Sequence, residues 1–147
     1  MLAAIDTNVL GYAEGAGDER RKGLARALLV RLPDDRVILP VQVLGELYRI
    51  LAGRYRLPAS LAQEAVLRWA DTFAVRGSTW TAMQSAMDLT GAHGLSIWDS
   101  LIVAVAAEQR CRVLLSEDLQ AGFTWQGVTI VDPFAEPAHP LLDELLA

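Results

Sequence analysis

Soft metal ligands are nearly absent from this sequence. Its 147 residues include one cysteine, Cys111, and two histidines, His93 and His139. That excludes a disulfide framework and leaves too few sulfur and imidazole ligands for a structural zinc site. Any bound metal must sit on oxygen. Long apolar runs are missing as well. Hydrophobic residues make up 52% of the chain, yet the longest uninterrupted run is Leu101 to Ala107, far short of the ~18 residues that cross a membrane. No membrane partner is expected. No basic segment precedes the first apolar residues, and Asp6 follows them at once, so the N-terminus does not read as a secretory signal and a cytoplasmic location is expected.

Several motifs of phosphate and acyl chemistry are also lacking. A dehalogenase-like phosphatase needs Asp-x-Asp, and Asn8 stands two places after Asp6. Gly94-Leu-Ser-Ile-Trp98 lacks the closing glycine of a nucleophile elbow. No glycine-rich phosphate loop with a following lysine occurs, and no lysine late in the chain completes a receiver-domain site. Lysine is scarce altogether: of thirteen basic residues only Lys22 is not arginine. Arginine suits bidentate phosphate binding, although a general compositional bias toward arginine and alanine gives the same count.

The length fits one domain, residues 1–147, with a sizeable core. Formal net charge is −5, but residues 1–58 carry 9 basic and 7 acidic side chains while residues 59–147 carry 4 and 11. Basic residues gather at Arg20, Arg21, Lys22 and Arg26, and again at Arg49, Arg54 and Arg56. They form either a solvated helix face or a patch that contacts phosphates.

Residues 2–5 predict a short buried strand, followed by a helix over 7–13 and, after Gly15-Ala-Gly17, a helix over about 18–32. Val37 to Leu39 predicts a second strand, and Pro40 opens a helix to about Tyr55. Ser60-x-x-Gln63 and Thr81-x-x-Gln84 have the spacing of capping boxes, with helices reaching about Phe73 and His93. Ala74-Val75 reads as a short extra strand. Ser96 opens a helix to about Arg110, with strands at 112–115 and 128–131. The proline-punctuated tail closes on the apolar run LLDELLA. Alternating strands and helices predict a three-layer α/β/α sandwich around a mainly parallel sheet. Sites in such sheets form beyond the carboxyl ends of the strands, where Asp6 and the stretch Ser116-Glu117-Asp118 both fall.

Four acids carry the chemistry, and each has a plainer explanation alone. Asp6 could cap the helix starting at Thr7, Asp118 could cap a turn, Asp99 stands three residues after Ser96 in a capping-box spacing, and Glu46 could be a solvated helix acid. Helical geometry weighs against the plain reading for two of them. Glu46 falls roughly 40° beyond the stripe of Val43, Leu44, Leu47, Ile50 and Leu51. Asp99 projects on the side of Ile102, Val103 and Ala106 in a helix that is apolar almost all round. Carboxylates converging on one cleft stay ionised only with a cation among them. Oxygen-only ligands indicate Mg²⁺ or Mn²⁺, which suit phosphodiester hydrolysis.

Ile5-Asp6-Thr7-Asn8, Glu46 in its apolar helix, Ser96-Ile-Trp98-Asp99 and Leu115-Ser-Glu-Asp118, with the closing Gly127 to Phe134 segment, resemble the PIN domain, particularly VapC-like toxin ribonucleases. The resemblance implies a Mg²⁺-dependent endoribonuclease, the toxin of a toxin–antitoxin pair. Asp6, Glu46, Asp99 and Asp118 would be its metal-site acids, with Asp6, Asp99 and Asp118 as metal ligands and Thr7, Asn8 and Ser116 in support. The family's last acid matches the second residue of the Glu117-Asp118 pair. RNA is the expected substrate, approaching over Arg20, Arg21 and Lys22. A cognate antitoxin and a homodimer are expected partners. A non-catalytic α/β interaction module that keeps the acids for binding is the alternative. Trp69, Trp80 and Trp125 could stack bases, but core packing is the expectation; Trp98 is read as a core residue positioning its helix, and Cys111 as a small buried hydrophobe.

Overall fold

The computed structural model describes all 147 residues. Its centre is β1 (Ala3–Ile5), whose three residues are fully buried. A strand so completely apolar can sit only inside a sheet covered on both faces. It lies between β2 (Val37–Pro40) and β4 (Val113–Leu115), parallel to both, with Ala3 opposite Val37 on one side and Val113 on the other. Beyond β2 lies β3 (Ala74–Arg76), and beyond β4 lies β6 (Val128–Val131), both parallel. A two-residue strand, β5 (Thr124–Trp125), closes that edge antiparallel to β6. The order is β3-β2-β1-β4-β6-β5.

From β1 the chain runs outward through α1 (Thr7–Ala13) and α2 (Glu19–Arg31) to β2, then through α3 (Val41–Arg49) and α4 (Ala59–Thr72) to β3. It then crosses back through α5 (Trp80–His93) and α6 (Ile97–Glu108) to β4, on the other side of β1. The direction of winding therefore reverses between β1 and β4, and a crevice opens beyond their carboxyl ends. A final helix, α7 (Pro140–Leu146), buries Leu142 and Leu145. Helices flank the sheet in the expected α/β/α arrangement, around a core of 34 buried hydrophobic residues. No helix is long and apolar enough to cross a membrane.

The composition of α6 follows from its position. Ser100 to Ala106 are buried without interruption because one side faces the sheet and the other faces α5. Ala82, Ala86 and Ala104 let the two helices approach closely, and the buried Ser100 accepts a hydrogen bond from Thr90 Oγ1 at 2.8 Å.

Several local expectations are corrected. The helix after β2 does not run evenly to Tyr55: it widens into a π-turn over Ile50–Arg54, with Tyr55 N donating to Ile50 O at 3.1 Å. Helix α4 begins at Ala59 without a side-chain cap, so Ser60 is inside it. Thr79, not Thr81, caps α5, accepting from Ala82 N at 3.0 Å. Strand β5 and helix α7 go beyond the sequence reading. Trp69 and Trp125 pack against the core as expected, whereas Trp80 is 68% exposed and Trp98 is 56% exposed. Cys111 is buried.

Candidate active site

The Asp6 backbone is fixed first. Its N–H donates to Leu115 O at 2.9 Å, continuing the β1–β4 pairing one residue past the strand. The chain then turns directly into α1, which makes Asp6 the N-cap: Oδ1 accepts from Thr7 N at 2.7 Å. The capping explanation is thus correct, and it does not use up the side chain. Oδ2 accepts from Ser116 Oγ at 2.7 Å and from Asn8 Nδ2 at 3.1 Å. Asn8 also donates to Ser116 Oγ at 3.2 Å and accepts from Glu117 N at 3.1 Å, tying the start of α1 to the exit of β4. These bonds join residues more than a hundred positions apart at the strand ends where the winding reverses.

Glu46 reaches the same crevice from α3. Its Oε2 accepts from Thr7 Oγ1 at 2.6 Å and its Oε1 from Gln42 Nε2 at 3.1 Å, so its orientation is set from both sides. Asp99 enters from the first turn of α6, where Ser96 Oγ accepts from Asp99 N at 3.0 Å. It is half-buried, less deep than the helical wheel implies. Asp118 follows β4 and is exposed.

All four acids line one cleft of about 330 Å³, together with Thr7, Asn8, Tyr12, Arg49, Arg54 and Tyr55. Ser116 lies just beneath, fully buried. Burial pushes the Asp6 carboxyl up to about 6, against the hydrogen bonds from Ser116 and Thr7 and with help from the charges of Asp99 and Glu46. Asp99 is raised by burial, and the neighbouring Glu46 and Asp118 add to this. Asp118, exposed but partly shielded from water by the cleft, is raised by that partial desolvation and then by the charge of Glu117. The acids therefore repel one another, and none of the four is in an ion pair. No three of them already stand at the spacing of a closed metal cage. An open, all-oxygen donor set of this kind matches a hard ion that keeps several waters and not zinc.

Glu117 does not line the cleft. Arg21 Nε donates to both its oxygens at 3.0 Å, and Tyr12 Oη donates to Oε1 at 2.7 Å. Arg21 also pairs with Asp18 at 2.8 Å. The Arg20, Arg21 and Lys22 cluster stays off the cleft wall, and Arg21 is occupied by carboxylates. Arg49 and Arg54, by contrast, form no ion pair and do line it. Sequence reading named them only as part of a basic cluster. The signal for Arg49 was its place three residues after Glu46, which puts both near one helix face; for Tyr12 it was the spacing of four from Asn8.

A model of the PIN domain family matches residues 3–122. No curated protein matches the sequence. Among solved structures, the chain is similar to the VapC20 toxin of Mycobacterium tuberculosis, described as cleaving the sarcin-ricin loop, at 25% identity and a TM-score of 0.66, over 79% of this chain and 91% of that one. A toxin–antitoxin complex from Klebsiella pneumoniae matches at 20% identity and 0.67, over 90% and 98%. FitAcB of Neisseria gonorrhoeae matches at 17% and 0.66, over 90% and 99%. The family match covers most of the chain and takes in all four acids: the protein belongs to the PIN domain family.

Proposed function

We propose that this protein is a metal-dependent endoribonuclease, with Mg²⁺ as its ion and Mn²⁺ as a competent substitute, and that it is the toxin of a toxin–antitoxin pair. The observation that carries the reading is the meeting of Asp6, Glu46, Asp99 and Asp118 in one open cleft at the switch point of the sheet. The family match and the likeness to an RNA-cleaving toxin support it. Asp6, Asp99 and Asp118 would hold the ion, with Glu46 as the fourth acid. When bound, the ion would lower the pKa of water and neutralise charge on the phosphate.

The chain's own groups have separate tasks. Ser116, Asn8 and Thr7 N fix the Asp6 carboxylate so that its oxygens cannot rotate away. Thr7 Oγ1 and Gln42 hold Glu46 at the cleft, as a base or as an orienter of the attacking water. Arg49 and Arg54 offer phosphate contacts in the same cleft, offsetting the repulsion between an acidic site and a polyanion.

The test is cleavage of a structured RNA by purified protein in Mg²⁺ and in EDTA. Activity should require the ion, disappear in Asp6→Asn and Asp99→Asn, and leave 5′-phosphate and 3′-hydroxyl ends. Wild-type cleavage by either variant, or cyclic-phosphate ends formed in EDTA, contradicts the reading.

A further inference from the structure

Beyond Glu46 the wall of the cleft continues into a second hollow, of about 470 Å³, whose lining includes Gln42, Gly45, Ser78 and Trp98. Glu46 and Arg49 belong to both hollows, so the two form one continuous track past the acids. Trp98 stands on it 56% exposed, immediately before Asp99. Its backbone is anchored: Gln42 Nε2 donates to Trp98 O at 3.2 Å and to Glu46 Oε1 at 3.1 Å, so one side chain of α3 ties the tryptophan backbone and the acid together. The facing side of α3 is bare at Gly45, where an added Cβ would meet nothing within 4 Å. Arg49, without an ion pair, is the cation between the two hollows.

A large exposed ring on a fixed frame, an open space in front of it and a free guanidinium beside it match the two halves of a nucleotide, a flat base and a charged phosphate. The free cation argues against an apolar protein surface as the occupant, and the track leads to a cleft read as a phosphodiester site. We propose that Trp98 is a stacking platform for an unpaired base next to the scissile bond, with Arg49 on the adjoining phosphate. Only an unpaired base reaches the ring, since bases within a duplex are already stacked. The identity of the strand rests on the nuclease reading above, but the platform is tested by binding alone.

Affinity for a roughly 10-nucleotide single-stranded RNA of mixed sequence, measured in EDTA at several salt concentrations, is the experiment. Trp98→Ala should weaken binding about tenfold, the size of one lost base stack. The salt slope should not change, because stacking releases no counterions. Trp98→Phe should recover most of the affinity, and Gly45→Leu, which fills the track from the opposite wall, should weaken binding as Trp98→Ala does. A blunt duplex of the same sequence should not distinguish wild type from Trp98→Ala. Unchanged single-strand affinity in Trp98→Ala overturns the proposal. So does a dimer that becomes monomeric in Trp98→Ala with RNA affinity intact, since the ring would then face a second copy. Trp98-dependent binding without cleavage in Mg²⁺ or Mn²⁺ would overturn the nuclease reading and leave the platform standing.

Discussion

Arg21 on α2 and Glu117 after β4 are joined by a guanidinium Nε that lies 3.0 Å from both carboxylate oxygens. This pair decides which residue of Glu117-Asp118 serves the cleft. With Arg21 and Tyr12 occupying it, Glu117 braces the β4 exit and leaves its neighbour Asp118 facing the other acids. Glu117→Gln should therefore keep cleavage within about tenfold of wild type, as expected for a group acting through another, while Asp118→Asn abolishes it. Single-turnover rates at saturating RNA separate the two, and equal losses would show that both carboxylates serve the chemistry.

The same pairing changes where RNA is expected to lie. With Arg21 held by acids, the free cations of the cleft are Arg49 and Arg54. Replacing either with Ala should lower the slope of log K against log salt by about 1, one phosphate contact each. The Arg20→Ala/Lys22→Ala double variant should change it less. A larger change in the double variant would move the strand onto α2.

Thr7 offers a test of preorganisation. It is buried, and its hydroxyl donates to Glu46 at 2.6 Å. Thr7→Val keeps the shape and removes the donor. A hydrogen bond to a charged acceptor contributes about 1.5–3 kcal/mol, so cleavage should fall by roughly tenfold or more, with Thr7→Ser close to wild type. If Thr7→Val cleaves normally, Glu46 is held well enough by Gln42 or is not needed in the reaction.

These residues differ in how far the sequence disclosed them. Asp6 was legible because strand, acid and helix start are local: three apolar residues, a capping acid and the α1 pattern meet within a few positions. The parallel sheet was legible from the alternation of short buried strands with helices. The exposure of Trp98 was not, since a tryptophan beside a buried helical run reads as core until the groove between α3 and α6 is known. Nor was the π-turn at Ile50–Arg54, which brings Arg54 and Tyr55 to the cleft: its one glycine, Gly53, weakens a helix without specifying a widened turn. Glu117 and Asp118 are chemically alike; the family resemblance pointed to Asp118, and the distant Arg21 and Tyr12 supply the physical reason by engaging Glu117.

The raised Asp6 pKa makes stability depend on pH in a definite direction. Near pH 5 the folded protein holds Asp6 protonated, with its pKa at about 6, while the unfolded chain, near 3.8, has already released that proton. The native state binds more protons than the unfolded state, so stability falls as pH rises through this window and stays lower above it. The effect of Asp6 alone is on the order of 2–3 kcal/mol. Urea midpoints in EDTA should therefore be higher at pH 5 than at pH 8, and Mg²⁺ should raise the midpoint at pH 8 far more than at pH 5. Asp6→Asn should flatten the profile. Its absolute stability is a poorer guide, because an amide set in place of Oδ2 would meet the Asn8 donor. A slope that survives in Asp6→Asn would assign the pH dependence to other groups.

The cleft also specifies what could silence it. Asp118 is exposed and Asp99 is half-exposed, so the mouth of the cleft is open to an inhibitor carried by another molecule. The carboxylates at that mouth, with the buried Asp6 behind them, are best satisfied by a divalent ion or by a guanidinium, which pairs with two carboxylates at once. The antitoxin proposed here should accordingly present an arginine on a segment that orders as it binds. Cleavage should be absent from the co-purified complex, and replacing that arginine with Ala should restore it even where the partner remains attached. A complex still silent after that replacement would mean that the partner blocks RNA access and leaves the carboxylates alone. Harmless expression of the lone chain, with its nuclease activity verified in vitro, would remove the need for an antitoxin and favour a housekeeping nuclease.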